Sequence, residues 1–335
     1  MQRCLDLAAK GIGHVAPNPM VGCVIVYEDR IIGEGYHQQY GGPHAEVNAI
    51  NSVADESLLQ HSTLYVNLEP CSHYGKTPPC ANLIVTKKIP RVVIGSYDPN
   101  PLVAGRGIQL LRENGVEVIT EVWKEESDFL NRRFFTFHTK KRPYIILKWA
   151  QSADGFIAPA DNKPYWLTND VSKKLVHQWR AEEPGIMVGY NTVLTDNPQL
   201  TVRHTNGKNP TRITLDRNLR LPSTMRIFDA AAPTLVFNQK ENTATGNREN
   251  IQLDFTADVI PQILTALHNR NLLSVMVEGG ASLLESLITA GCWDEARIFY
   301  TPAQLGNGLK APILTGKLLE ERYLEDDLLR IFLPQ

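Results

Sequence analysis

The sequence predicts two consecutive α/β domains. Its 335 residues exceed one ordinary domain of ~100–200 residues. Helical and strand signals alternate along both halves, the pattern of layered sheets covered by helices. Between them, at 124–142, the texture changes to a polar stretch with an aromatic stripe and then Lys140-Lys141-Arg142-Pro143. A basic run before proline is a poor helix interior and a reasonable boundary, so the expected domains are 1–142 and 143–335, with the charged run a solvated linker.

In the first half, residues 2–10 read as a helix with Leu5, Ala8 and Ala9 on one face. Val21–Tyr27 is β-rich, Glu28-Asp29 turns, and Arg30–Gly35 returns, so a hairpin is expected. Ala45–Ser52 reads as a helix, Thr63–Leu68 as a strand and Ala81–Lys87 as a helix. Arg91–Gly95 is a strand, Gly105–Asn114 a helix stopped by Gly115, and Val116–Ile119 a strand. In the second half, strands are expected at Tyr144–Trp149, Gly185–Gly189, Arg212–Asp216, Thr234–Phe237, Ser274–Glu278 and Glu295–Thr301. Helices are expected at Asn169–Ala181, Ala257–Arg270 and Ala281–Ala290. No internal repeat links the halves.

Composition excludes several classes. Hydrophobic residues make up 43% and charged residues 21%, enough for real cores and wrong for a disordered chain. The 34 basic and 36 acidic residues nearly cancel, giving −2, where a nucleic-acid binder more often carries a basic excess. No apolar core follows Met1-Gln2-Arg3, so no signal peptide is expected, and no run of ~18 apolar residues indicates a membrane helix. Five scattered cysteines argue against a disulfide scaffold and for a reducing cytoplasm.

The most informative residues are His44-Ala45-Glu46, Pro70-Cys71 and Cys80. One histidine and two cysteines supply three ligands, the number a catalytic zinc uses when a fourth position stays open for water. Zinc lowers the pKa of such a water. Glu46, two residues past the histidine at a helix start, can stand beside the metal, take the water's proton and pass it to a leaving amine. His-x-Glu followed by Pro-Cys is the signature of zinc deaminases, although eight residues separate Cys71 from Cys80 where two are usual. His73, inside that loop, is a rival ligand or a pocket residue. Lys76 suits a phosphate and Asn18 a ring or ribose hydrogen bond. The neutral first half offers no basic channel, which favours a small nucleotide-like substrate over nucleic acid.

The second half lacks a Gly-x-Gly-x-x-Gly turn after a strand, so a Rossmann fold is not indicated. Val275–Leu283 instead reads as strand, Gly279-Gly280 turn and helix start, where free amides suit a phosphate and Ser282 adds a hydroxyl. Lys148–Gly155 ends a strand in a glycine turn, and Asn191–Pro198 reads as a polar loop. Arg180 and Arg203 are expected to grip a substrate phosphate with their forked donors, or else to be a helix-end and a strand-surface arginine.

Asn18-Pro19-Met20-Val21-Gly22, His44-Ala45-Glu46-Val47, Glu69-Pro70-Cys71-Ser72-His73, Gly75-Lys76-Thr77-Pro78-Pro79-Cys80 and Asp98-Pro99-Asn100-Pro101 together resemble the bifunctional riboflavin-biosynthesis deaminase–reductases. That family has the eight-residue cysteine spacing, and the resemblance covers nearly the whole chain. It implies a cytidine-deaminase-like three-layer domain followed by a dihydrofolate-reductase-like α/β domain. The implied reactions are hydrolysis of the ring amine of a diaminopyrimidinone ribosylamine phosphate, then NADPH reduction of the ribosyl group to ribityl. By the same resemblance Zn²⁺ sits on His44, Cys71 and Cys80, with Glu46 catalytic and Asn18, His73, Lys76, Asp98 and Asn100 around the deaminase substrate. NADPH would meet Ala150, Trp166, Thr192, Asp196 and Gly280-Ala281-Ser282-Leu283-Leu284-Glu285-Ser286. The reductase substrate would meet Lys148, Arg180, Leu200, Arg203 and Glu278. A homo-oligomer is implied too.

Two positions depart from the family pattern. Pro164 stands where a small hydroxyl residue is usual, two before the tryptophan, and Arg217 where serine is frequent, facing the cofactor's extra phosphate as one option. A deaminase with a non-catalytic nucleotide-binding second half is the alternative activity, and a zinc-stabilised module without turnover is the alternative from another class. Cys4, Cys23 and Cys292 are expected to be core residues or free thiols.

Overall fold

The computed structural model describes residues 1–72, 79–101, 103–161 and 165–335. The chain divides into two compact units, Met1–Lys141 and Arg142–Gln335. The N-terminal unit runs α1 (Gln2–Ala9), β1 (Gly22–Tyr27), β2 (Arg30–Tyr36), α2 (Ala45–Asn51), β3 (Thr63–Leu68), α3 (Cys80–Thr86), β4 (Arg91–Ser96), α4 (Arg106–Glu113), β5 (Glu117–Ile119), α5 (Lys124–Leu130) and α6 (Arg132–Lys140). The strands form one sheet in the order β2-β1-β3-β4-β5. The β1–β2 hairpin turns through Glu28 and Asp29, both at positive φ, a conformation Asp tolerates in tight turns. Alternate residues point to opposite faces. Cys23, Ile25, Leu64, Val66, Val92 and Ile94 bury against α2, α3 and α4, whereas Val24 and Tyr65 meet Cys4 and Leu7 of α1. Helices therefore cover both faces, giving three layers.

Residues 124–140, expected only as a polar stretch with aromatics, form two helices. Asn131 at their junction is buried and does structural work for a distant loop. Its amide donates to Met20 O at 2.8 Å and its carbonyl accepts from Met20 N at 2.8 Å. Asn67 on β3 completes the clasp, accepting from Gly22 N and donating to Met20 O. These two side chains pin the segment that carries Asn18.

The C-terminal unit runs β6 (Tyr144–Gln151), β7 (Phe156–Pro159), α7 (Asp170–Glu182), β8 (Gly185–Val188), α8 (Tyr190–Asp196), β9 (Thr211–Leu215), β10 (Thr234–Asn238), β11 (Thr243–Thr245) and β12 (Arg248–Gln252). It continues with α9 (Val259–His268), β13 (Ser274–Val277), α10 (Ala281–Thr289), β14 (Glu295–Tyr300), β15 (Gly308–Lys310), β16 (Lys317–Leu324) and β17 (Asp327–Leu333). Ten strands form one sheet in the order β11-β12-β10-β9-β8-β13-β6-β14-β17-β16, parallel from β12 through β14. Ile260, Ile263, Leu264 and Leu267 of α9, with Leu284 and Leu287 of α10, bury on one face. Val176 and Trp179 of α7 and Val193 of α8 cover the other. Each such aliphatic or aromatic side chain contributes about 1.5–3 kcal/mol by leaving water.

Two expectations are corrected here. Asn191–Pro198 is not a polar loop: Tyr190–Asp196 is helical, ended by Asn197 at φ +40. Its residues favour caps and turns on propensity, and burial of Val193 decides the matter. Arg142 is not part of a solvated linker. It forks onto Asp294 at 2.5 and 2.8 Å and belongs to the C-terminal unit.

Replacing Asn131 with Leu leaves Met20 N–H buried without its acceptor. Unfolding of the N-terminal unit in urea should lose about 1–3 kcal/mol of stability. A change within about 0.5 kcal/mol, the range of ordinary surface substitutions, contradicts the clasp.

Candidate active sites

His44 is the N-cap residue of α2, extended at φ −73 and ψ 164. Cys80 opens α3 after Pro79. Both side chains meet Cys71, which follows β3. The Nδ1 atom of His44 lies 3.5 Å from Cys71 Sγ and 3.3 Å from Cys80 Sγ, and the three donor atoms all fall within 4.8 Å of one another. Tetrahedral zinc with Zn–N near 2.0 Å and Zn–S near 2.3 Å sets nitrogen and sulfur about 3.5 Å apart, so the donor set fits that ion in spacing and softness. The amide of Cys80 donates to Cys71 Sγ at 3.4 Å. Shared hydrogen bonding from Cys80 and His44 pulls the Cys71 thiol down to about 4, against the opposing effect of burial. Cys80, holding the pair's proton and buried, is pushed well above the usual thiol value. A metal replaces that proton.

Glu46, in the first turn of α2, is 3% exposed. Burial first, then the Cys71 charge, pushes its carboxyl up to about 7, and it hydrogen-bonds the Cys80 thiol. A carboxyl of that acidity beside the donor cluster can both take and return a proton near neutral pH.

Asn18 reaches the same region through His37, with Nδ2 3.1 Å from His37 Nε2. His37 Nδ1 lies 3.0 Å from Pro43 O, and its ring is 5.5 Å from that of His44. Asp98 is buried, its carboxyl raised to about 7 by burial and then by Glu69 and Cys71. It accepts from Asn100 N at 2.7 Å. His73, Lys76 and Pro164 lie outside the described residues.

Glu69 and His37 are positioning residues that sequence reasoning missed. The Glu69 carboxylate accepts from Gly105, Gly107 and Ile108 N–H groups and from Asp98 N, so it caps α4 and ties that helix start and Asp98 to the strand leading to Cys71. A Cβ on Gly107 would stand 2.0 Å from Pro70 O, so only glycine lets α4 approach there. A glutamate directly before Pro-Cys was the available signal.

In the C-terminal unit the carboxyl ends of β8 and β13 form a glycine crevice. Gly189 N donates to Gly279 O at 3.0 Å, and Gly279 has φ +124, which favours glycine. A Cβ on Gly280 would stand 3.1 Å from Thr192 Oγ1. Thr192, Gly189, Gly280 and the free amides opening the nine-residue α10 converge there, a fit for a cofactor's phosphates. Ser282, Glu285 and Ser286 are exposed on α10 and Leu283 is half-buried, whereas the Leu284 side chain lies in the core. Asp196 ends α8, and Trp166 stands 69% exposed beside Lys173.

Next to this crevice lies a cationic pocket. Lys148 and Ala150 share a face of β6, and Lys148 Nζ is 5.5 Å from the Phe299 ring centre. Burial pushes the Lys148 amine down, opposed by Glu278 and aided by Arg180. The Arg180 fork is not open to a phosphate as expected from the sequence. It is closed on Glu278, Nε to Oε1 at 2.7 Å and Nη2 to Oε2 at 2.6 Å. Arg203 has no such partner among the described residues; burial, then Arg180 and Arg226, lowers its pKa. Leu200, at φ +55, buries its side chain in the core, so only its backbone can face the pocket. His177, unnoticed in the sequence, accepts from Arg203 N at 3.2 Å and packs on His204. It sits three residues before Arg180 on one helix face.

Comparisons with known proteins agree with this geometry. The cytidine and deoxycytidylate deaminase zinc-binding region matches residues 1–96, and the RibD C-terminal domain matches residues 143–329. The chain belongs to the RibD family. It is similar to the riboflavin biosynthesis protein RibD of Aquifex aeolicus, 41% identical, covering 96% of this chain and 91% of that one. A crystal structure of a diaminohydroxyphosphoribosylaminopyrimidine deaminase/5-amino-6-(5-phosphoribosylamino)uracil reductase from Thermotoga maritima matches with TM-score 0.92 and 38% identity, covering 100% of this chain and 97% of that one. Acinetobacter baumannii RibD matches with TM-score 0.91 and 34% identity, at 100% and 97% coverage. As a RibD, the chain is a bifunctional riboflavin-biosynthesis enzyme with a zinc deaminase domain and an NADPH-dependent reductase domain. No helix among the described residues is long and apolar enough to cross a membrane.

His177 is pushed down to about 4, chiefly by burial, then by Arg180, Arg203 and His204. Unfolded histidine titrates near 6.5, so between those values the unfolded chain holds the extra proton and stability falls as pH drops. His177→Gln should lose less stability than wild type between about pH 7 and pH 5, read from denaturant midpoints. Equal losses contradict this assignment.

Proposed function

We propose that His44, Cys71 and Cys80 hold the catalytic zinc and that Glu46 is the proton-transfer residue of a deaminase acting on a diaminopyrimidinone ribosylamine phosphate. The observation that carries this is a buried carboxyl hydrogen-bonded to one member of a three-donor cluster. Zinc there acidifies a water molecule and so supplies the nucleophile. Glu46 accepts the proton as the ring carbon is attacked and returns it to the departing amine, leaving a carbonyl and ammonia. Asn18, Asp98 and Asn100 contact the pyrimidine and its phosphate, and the sequence alone assigns His73 and Lys76 to the same task.

The deaminated product is then reduced in the C-terminal unit. NADPH supplies the hydride. The chain's part is to place the cofactor on Gly280–Ser286, Thr192, Asp196, Ala150 and Trp166, and to hold the ribosyl phosphate with Lys148, Arg203, the Leu200 backbone and the Arg180–Glu278 pair. Glu278 fixes the Arg180 guanidinium, which leaves Arg203 and Lys148 as the cations of this pocket, among the described residues, that can turn to the phosphate. Five free cysteines fit a cytoplasmic setting. Exposed Leu318, Leu319 and Tyr323 on the edge strand β16 support a homo-oligomer.

Glu46→Gln should keep its zinc and lose deamination by about 10²–10⁴-fold. Its oxidation of NADPH with the deaminated intermediate should be unchanged. Retained deamination refutes the role of Glu46, and wild type that deaminates without ever consuming NADPH favours a non-catalytic C-terminal module.

A further inference from the structure

Helices α5 and α6 follow the last strand of the N-terminal sheet and end just before Arg142, so by position they connect the two units. They also lie beyond residues 1–96, the part matched by the deaminase zinc-binding region. Asn131 at their junction is 2% exposed and spends its whole side-chain amide on one residue of another segment. Its Nδ2 donates to Met20 O and its Oδ1 accepts from Met20 N, both at 2.8 Å. A paired bond of this kind fixes both the place and the rotation of the Met20 backbone. Leu130 beside it packs with Val15 and Met20.

The anchor is itself held. Asn131 N donates to Ser127 O at 3.2 Å, and Asn131 O accepts from Phe135 N at 2.9 Å, so both helices grip its backbone. α5 is tied to β4 in turn: Ser96 Oγ donates to the Asp128 carboxylate, and Val122 N donates to Ile94 O at 3.1 Å. On the far side of the clasp only Pro19 separates Met20 from Asn18. Proline has a fixed φ and keeps the residue before it extended, so few soft torsions remain between the clasp and Asn18. The Asn18 amide then meets His37 Nε2 at 3.1 Å. A shift of Met20 therefore carries Asn18 with it. The zinc donors sit on other segments, and among the described residues no bond of Asn131 reaches them.

We propose that Asn131 is a positioning residue of the deaminase, holding Asn18 to the substrate through Met20, so that the connecting helices complete a pocket the zinc-binding region does not complete alone. This rests on the reading of Asn18 as a substrate contact.

Steady-state deamination by full-length variants tests this, with zinc content and NADPH oxidation of the deaminated intermediate measured beside it. Asn131→Ala should raise KM for deamination by about 3- to 10-fold, the worth of one neutral hydrogen bond, with kcat within about twofold. Its zinc content and its NADPH oxidation should match wild type. In an Asn18→Ala background the same substitution should raise KM no further, because two residues that serve one contact are not additive. Asn131→Asp keeps the acceptor for Met20 N–H; it should raise KM in the same direction, and it serves where the alanine variant does not fold. KM effects that multiply in the double variant, or an Asn131 variant with wild-type KM, overturn the assignment and leave the reading of Asn18 standing. Loss of zinc in both Asn131 variants also overturns it, since the residue then serves the fold alone. An Asn18→Ala chain with wild-type KM overturns both.

Discussion

The N-terminal unit depends on three side chains from separate segments meeting within 4.8 Å. Without a metal, two thiols and an imidazole that close share protons at odds with one another, one thiol driven down and its neighbour driven up. A divalent cation resolves that conflict, and its binding free energy then adds to the stability of the folded unit. Much of the surrounding architecture serves this meeting. His44 and Pro79 are the extended N-caps of α2 and α3, which set His44 and Cys80 at the two helix starts, and Glu69 ties Asp98, Gly105 and Gly107 to the segment carrying Cys71.

The C-terminal unit solves a different problem. Its overall charge is nearly balanced, with 19 basic and 21 acidic residues after Arg142, yet Arg180, Arg203 and Lys148 gather around the Glu278 carboxylate. Such a pocket tolerates its cations because Arg180 is neutralised by Glu278 and the amine of Lys148 is held down by burial. The remaining positive field suits a phosphorylated substrate, and the glycine crevice beside it suits the cofactor's own phosphates.

Much of this was legible in the residues. Period-two and helical patterns located the strands and helices of both sheet centres, because buried elements must show their apolar face. His44-Ala45-Glu46 and the two Pro-Cys pairs announced the donor cluster. The misses have physical causes. The helix Tyr190–Asp196 is short and built of Asn, Thr and Asp, and a single buried valine holds it. β16 is an exposed edge strand with no apolar period to read. The Arg142–Asp294 pair spans 152 positions, and Arg180 meets Glu278 across 98, so their partners lie beyond local patterns. Glu69 and His37 act through backbone groups and neighbours, which no motif displays.

X-ray absorption at the zinc edge of the purified chain tests the donor cluster most directly. This account requires one imidazole nitrogen near 2.0 Å, two sulfurs near 2.3 Å and one further light atom. A shell of four sulfurs, a shell without sulfur, or a chain that takes up no zinc contradicts it.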